Sequence, residues 1–338
     1  MYETYYGLTG KPFQLNPDPA FYFASRGHKR AFAYLQYGLH QSEGFIVITG
    51  EVGAGKTTLI RNLLEQIDPK LLVAAQLVST QLDADDLLRA VATAFGLRAN
   101  AVDKARLLAE LEAFLVSLVP QGKRALLIVD EAQNLSGRAV EELRMLSNFQ
   151  LGNQGLLQSF LVGQPELRTL MQSPQMRQLR QRVTASYHLG PMDQAETQAY
   201  VEHRLRHVGW SDHPKFEQGA FDAIFASSAG IPRQINTLCN RLLLAAYLSE
   251  KQTIDTAHVE SIIDEIRVEL SGLGVPPQDP TASNALSDAD DAEIAAHASR
   301  LEARVARLER AMASVLRFLQ PALRSVAAEN SAKRPKGG

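Results

Sequence analysis

The stretch FIVITGEVGAGKTTLI, Phe45 to Ile60, constrains this chain more than any other. Its apolar run Phe45 to Ile48 reads as a buried strand, and Gly50, Gly53 and Gly55 then let the backbone turn tightly before a helix opens at Lys56. The spacing Gly50-x-x-x-x-Gly55-Lys56-Thr57 is that of a P-loop, in which backbone N–H groups and a helix N-terminus face nucleotide phosphates. The expected cradle is the backbone of Gly50, Glu51, Val52, Gly53, Ala54 and Gly55, continued by Lys56, Thr57 and Thr58. Lys56 is expected to reach the β- and γ-phosphates of the nucleotide, and the Thr57 hydroxyl to hold Mg²⁺. A chance glycine-rich turn is the alternative, but strand and helix both stand where the motif needs them.

Strands and helices alternate after this point, which implies parallel βαβ units. Leu71–Val78 reads as a strand, Ala84–Phe95 and Lys104–Val119 as amphipathic helices, and Arg124–Val129 as a strand apolar enough to be central. That strand ends in Asp130-Glu131-Ala132-Gln133. Paired acids at a strand end are often only solvated; after a P-loop they have a chemical use. Asp130 can hold a water ligand of Mg²⁺, and Glu131 can polarise the water that attacks the γ-phosphate. The same four letters are similar to helicase boxes, although no second RecA-like domain accompanies them. Leu156–Val162 makes a further strand ending at Gln164, which either senses the γ-phosphate or merely turns the chain. A basic helix, Gln175 to Val183, carries Arg177, Arg180 and Arg182 into the strand Ala185–Leu189. Such arginines usually form a solvated face; one of them aimed at a neighbour's nucleotide would mean something else.

The flanks read differently. Met1 to Phe23 is rich in Tyr, Phe, Pro and Asn and reads as an ordered, aromatic-anchored arm, with Pro12 and Phe13 placed either to flank an adenine or to pack in the core. A helix from Gly27 to Gln41 leads into the P-loop strand. Beyond Gly190-Pro191 the strands are expected to stop, and helical patterns over Gln194–Val208, Phe216–Ser227, Arg233–Ser249 and Thr256–Leu270 make a small bundle. Within it, Pro232 suits a first helical turn, and Arg233 opens that helix facing the core. His203 and His207 share a helical face but lack the acidic partner of a zinc site. Residues 271–292 read as a flexible linker, and 293–326 as a heptad helix with Leu301, Val305, Leu308, Met312, Val315 and Leu319 on one seam, before a disordered 327–338. That helix either docks on its own chain or meets a coiled-coil partner.

Composition narrows the field. With 35 Lys and Arg against 37 Asp and Glu, the net charge of -2 gives no global footprint for nucleic acid. The one cysteine, Cys239, excludes an internal disulfide framework and reads as a core thiol. No basic-then-apolar leader opens the sequence, and no apolar run is long enough to span a bilayer, so the expected location is cytoplasmic.

Taken together, the P-loop, the acids at Asp130 and Glu131, the polar strand end at Gln164, the pre-strand Arg182 and the bundle's Arg233 resemble an AAA+ ATPase. The segments PFQLNPDPAFYF, LLIVDEAQNL, LVGQPELR, LRQRV and GIPRQIN are similar to the general-secretion ATPases of the ExeA/GspA type, and most of all to the secretion ATPases of exosortase (PEP-CTERM) and exopolysaccharide loci. The resemblance spans roughly Met1 to Leu270. It implies an α/β P-loop NTPase (AAA+) fold: an αβα core with a parallel sheet over 1–190 and an all-helical lid over 191–270. It also implies ATP and Mg²⁺ as ligands, Gln164 as first sensor and Arg233 as second. Arg182, with Arg180 as runner-up, would be an arginine finger offered to a neighbouring subunit of a homo-oligomer. The implied work is to energise assembly or export of an envelope or exopolysaccharide component, with peripheral attachment at the inner membrane through a partner. This sequence departs from the longer secretion members in showing neither a transmembrane helix nor a peptidoglycan-binding domain. Two rivals stand beside that reading: a DNA-associated ATPase like the transposition helpers, and a nucleotide-gated scaffold with little turnover.

Overall fold

The computed structural model describes residues 1–41, 44–78, 82–99 and 103–272; the linker from 273 on, the expected heptad helix 293–326 and the terminal 327–338 lie outside them. Five strands, β1 (Phe45–Gly50), β2 (Leu72–Val78), β3 (Arg124–Asp130), β4 (Leu157–Gly163) and β5 (Val183–Leu189), form one sheet in the order β2-β3-β4-β1-β5. Every pairing in it is parallel. The three inner strands are buried along almost their whole length, whereas the edge strands β2 and β5 alternate between buried and exposed positions. That difference follows from covering a parallel sheet on both faces while leaving its two margins at the surface.

Side chains that alternate along β1 feed two separate cores. Ile46 and Ile48 join a cluster with Ala31, Leu35, Leu59, Ile60 and Leu63, which come from α1 (Arg26–Gln41) and α2 (Lys56–Gln66). Phe45 and Val47 point the other way, toward α3 (Ala84–Ala94), α4 (Lys104–Leu118) and α5 (Gly137–Leu146). The result is a three-layer αβα core. Gly38 lets α1 lie directly on β1, since a Cβ there would run into Ile46. Asp83, Asp103 and Ser136 cap α3, α4 and α5 through backbone N–H groups of the first turn, which sets where each helix begins.

The link from β4 to β5 is less helical than its arginine-rich sequence suggests. It contains α6 (Glu166–Gln172), a 3₁₀ turn and a four-residue α7 (Arg177–Arg180), and β5 starts at Val183, two positions before the strand expected at Ala185. β-branched Val183 and Thr184 extend the strand. The chain then enters a bundle of α8 (Gln194–His207), α9 (Gln218–Ser228), α10 (Pro232–Leu248) and α11 (Thr256–Gly272). Strands do not stop at Gly190: Lys215–Phe216 pairs in parallel with Thr253–Ile254, tying the start of α9 to the start of α11. An antiparallel ribbon, Gln150–Leu151 with Gln154–Gly155, also precedes β4.

The N-terminal arm packs on the bundle. Tyr2, Tyr6, Leu8 and Phe13 share a buried cluster with Tyr200, Val201, Leu205, Leu238 and Leu242. Tyr2 and Tyr6 keep their hydroxyls paired, donating to Asn240 Oδ1 and to the Lys251 carbonyl, each at 2.9 Å. The arm returns to the sheet at Arg26, whose backbone N–H donates to Glu196 Oε1 at 2.6 Å and whose guanidinium pairs with Asp193.

Candidate functional site

Parallel strands bring their carboxyl ends to one edge, and β4 lies between β1 and β3, so the segments after all three strands meet. After β1 the backbone takes positive φ at Gly53 (81°) and Gly55 (95°), which side-chain-bearing residues rarely adopt. Lys56 follows, only 7% exposed, its Nζ donating to the carbonyls of Gly50 at 2.7 Å and Glu51 at 2.9 Å. Burial lowers the Lys56 pKa, and the nearby Glu131 and Asp130 charges oppose that shift. A third ammonium proton remains for an anion in the cradle.

The Thr57 hydroxyl donates to Asp130 Oδ2 at 3.1 Å, and Asp130 Oδ1 accepts the Glu131 N–H at 3.0 Å. A hydroxyl and a buried carboxylate side by side at the cradle are the hard oxygen donors that suit Mg²⁺.

Glu131 sits in the left-handed region with φ of 54°, a conformation costing of order 1 kcal/mol or more for such a residue. Its Oε2 accepts from Gln133 Nε2 at 2.6 Å and from Gln164 Nε2 at 3.0 Å. Gln133 also accepts the Gln164 N–H through Oε1 at 3.0 Å, bridging the ends of β3 and β4. Burial pushes the Glu131 pKa up, but the hydrogen bonds from Gln133 and Gln164 and the charge of Lys56 together hold it below the ordinary carboxylate value. The acid is therefore ionised at neutral pH. Gly163 makes room for this bridge, since a Cβ there would lie 2.7 Å from Gln133 Oε1.

The bundle closes over the cradle. Arg233 donates its backbone N–H to the Gly53 carbonyl at 3.2 Å, and its side chain fills the space that a Cβ on Gly53 would need. Gly230, at φ of 72°, accepts the Met192 N–H at 3.0 Å through its carbonyl and so fixes where α10 starts. Between cradle, bundle and arm lies a cavity of about 400 Å³, bordered by Val52, Lys56, Thr57, Thr58, Glu131 and Arg233.

The arm supplies a wall of this cavity through Gln14 to Asp18 and Phe21 to Phe23. Phe13 is not part of it, being 2% exposed within the bundle core, and the Pro12 carbonyl accepts from Arg204 Nε at 2.6 Å. Core packing is thus their role. Tyr22, with a pKa pushed up to about 12 by burial, and the buried Arg204, Asn236 and His28 are cavity residues that sequence reasoning missed. They come from elements distant in sequence and share no motif.

Arg182 is not assembled with its own chain's cradle. It precedes β5 at the opposite edge of the sheet, with its carbonyl accepting the Phe45 N–H and its Nη1 donating to Ser147 Oγ at 2.8 Å. Arg180 donates to the Met171 carbonyl at 2.7 Å. His203 and His207 stand beside Phe23 and Phe21, and no group of three or more metal-ligating side chains occurs among the described residues. Cys239 is fully buried, with its thiol pKa pushed up.

The sequence signature of the AAA domain family (AAA_22) matches residues 39–171. The chain is 39% identical over 274 residues to the General secretion pathway protein A of Aeromonas hydrophila, covering 81% of this chain and 49% of that protein. It thus spans about half the length of that relative. The fold is similar to the ORC2 protein of Aeropyrum pernix, solved as ADPNP-ADP complexes, with a TM-score of 0.58 at 18% identity over 75% of this chain and 71% of that one. It is also similar to the Drosophila ORC structure bound to DNA, with a TM-score of 0.59 at 15% identity over 80% of this chain and 67% of that chain.

Proposed function

From the premise that the chain carries an AAA+ P-loop fold, we propose that it binds ATP with Mg²⁺ and hydrolyses it to energise a secretion-linked assembly step. The observation that carries this reading is the meeting of four groups at one cavity: the buried Lys56 ammonium, the Thr57–Asp130 pair, the ionised Glu131 and the Arg233 contact to Gly53. The triphosphate lies along the N–H groups of Gly53 to Thr58, with Lys56 against the β- and γ-phosphates. Thr57 and Asp130 would hold Mg²⁺, which when bound offsets phosphate charge. Glu131 orients and polarises the attacking water, and the Gln133 and Gln164 amides fix its carboxylate. Gln164 and Arg233 respond to the γ-phosphate from the sheet and from the lid. Arg182, remote from its own cradle, acts on the nucleotide of a neighbouring copy, with Arg180 as the alternative.

The similarity to a general secretion pathway protein supports an export setting, and the finer reading is assembly or export of an envelope or exopolysaccharide component. Among the described residues no helix is long and apolar enough to cross a membrane. Peripheral attachment at the inner membrane through a partner is part of the same proposal. Calorimetric titration with Mg-ATP tests the nucleotide reading. Saturable binding by the wild type and loss of it in Lys56→Ala are expected; equal binding by both proteins contradicts it.

A further inference from the structure

His28, in the first turn of α1, is a buried polar side chain, 6% exposed, that the proposed chemistry leaves unused. Its ring stands beneath the phosphate cradle. A Cβ built on Gly55 would lie 2.7 Å from His28 Nε2, and the Ala54 backbone is a hydrogen-bond partner of the ring. On the far side, Ser25 Oγ lies 2.7 Å from His28 Nδ1 and accepts the His28 backbone N–H at 3.2 Å.

These contacts select a tautomer. If the Ser25 hydroxyl, already accepting a backbone N–H, gives its own hydrogen to Nδ1, the neutral ring carries its proton on Nε2, facing the Ala54 carbonyl. Burial lowers the ring pKa to about 4, which keeps the imidazole neutral near pH 7. A planar trans peptide points its carbonyl and the following N–H in opposite directions. Holding the Ala54 carbonyl down toward His28 therefore aims the Gly55 N–H up into the cradle. Gly55 itself resists a flip of that peptide poorly, because glycine tolerates both signs of φ.

We propose that His28 is a positioning residue of the nucleotide site: its Nε2–H, oriented by Ser25, locks the Ala54–Gly55 peptide in the orientation that presents an N–H to phosphate. The inference rests on the ATP-binding reading above. Flipping the peptide would replace a donor with a carbonyl oxygen facing the phosphates.

The test uses the full chain, Mg-ATP titration and the thermal midpoint without nucleotide. His28→Leu fills the space without a donor, whereas His28→Gln restores an N–H at similar reach. Expected are a roughly tenfold weaker ATP affinity for His28→Leu, recovery to within about threefold for His28→Gln, and similar midpoints for the two. Wild-type affinity in His28→Leu, or equal losses in both variants, overturns the inference. If His28→Leu does not fold, Ser25→Ala takes its place, with about threefold weaker binding expected and unchanged binding overturning the proposal. A wild-type protein that binds no ATP overturns the nucleotide reading and this inference together, whereas wild-type binding with an indifferent His28 overturns this inference alone.

Discussion

Replacing Arg204 tests whether the arm belongs to the nucleotide cavity. The side chain is 5% exposed and spans the arm and α8, donating from Nε to the Pro12 carbonyl at 2.6 Å, from Nη1 to the Tyr200 hydroxyl at 2.7 Å and from Nη2 to the Gln14 carbonyl at 3.4 Å. Its guanidinium carbon also lies 4.8 Å from the centre of the Phe21 ring. Hydrogen bonds from a charged donor contribute about 1.5 to 3 kcal/mol each, and the long Gln14 contact counts for little by geometry. Removing both short bonds strands the buried Pro12 carbonyl, whereas the Tyr200 hydroxyl keeps its hydrogen bond to Asn236 Oδ1 at 2.9 Å. Arg204→Ala is therefore expected to lose about 3 kcal/mol of stability by urea denaturation, allowing for partial relaxation. Because Gln14 to Asp18 wall the cavity, ATP affinity should fall as well, and chymotrypsin should cut the arm faster after Phe13. Arg204→Lys keeps the charge without the planar fork and should recover less than half of the loss. A variant as stable as the wild type, with unchanged cleavage and affinity, would refute the idea that Arg204 pins the arm.

Gly53→Ala places a Cβ both at positive φ and into the Arg233 side chain, so ATP affinity should drop at least tenfold by titration while the sheet keeps its circular dichroism. Arg182→Ala subunits should bind ATP yet turn it over slowly, and an excess of Lys56→Ala subunits should restore part of the phosphate release if the arginine acts between copies. Acidification should destabilise the fold through His28. Its pKa is about 4 folded against 6.5 for a free side chain, so between those values the unfolded chain holds more protons. That contribution is complete above the free value and is lost as pH falls toward 4, by at most ~3 kcal/mol, and His28→Gln should flatten this part of the pH profile in urea denaturation.

Much of the site was legible because its chemistry is local in sequence. Gly50 to Thr57 fall within one strand-turn-helix unit, and Asp130-Glu131 at the end of an apolar strand could be joined to it by the logic of parallel sheets alone. Strand order was not legible, since periodicity says which face a residue takes but not which strand lies beside which. Only the placement of β4 between β3 and β1 explains why Gln164 reaches Glu131. Gln133 stood next to the recognised acids, yet one of its two hydrogen bonds comes from the Gln164 N–H across the strands and needs the missing Cβ of Gly163. Phe13 looked equally suited to a base or to a core, because an aromatic ring carries no label for which apolar surface it meets. His28 gave no signal at all: its role depends on the fold of Gly55, far along the chain. The ribbons at Lys215–Phe216 and Gln150–Leu151 are two residues long, too short for a period-two pattern to register.

In the proposed function Glu131, held by two glutamine amides beside a buried Lys56, drives hydrolysis of ATP. Steady-state phosphate release by the wild type and by Glu131→Gln, each with ATP affinity measured on the same sample, tests it directly. The isosteric amide removes the basic oxygen while leaving the cradle in place. Expected are ATP binding within a few-fold of wild type and turnover lower by about 10²-fold or more. Equal turnover in the two proteins would contradict it.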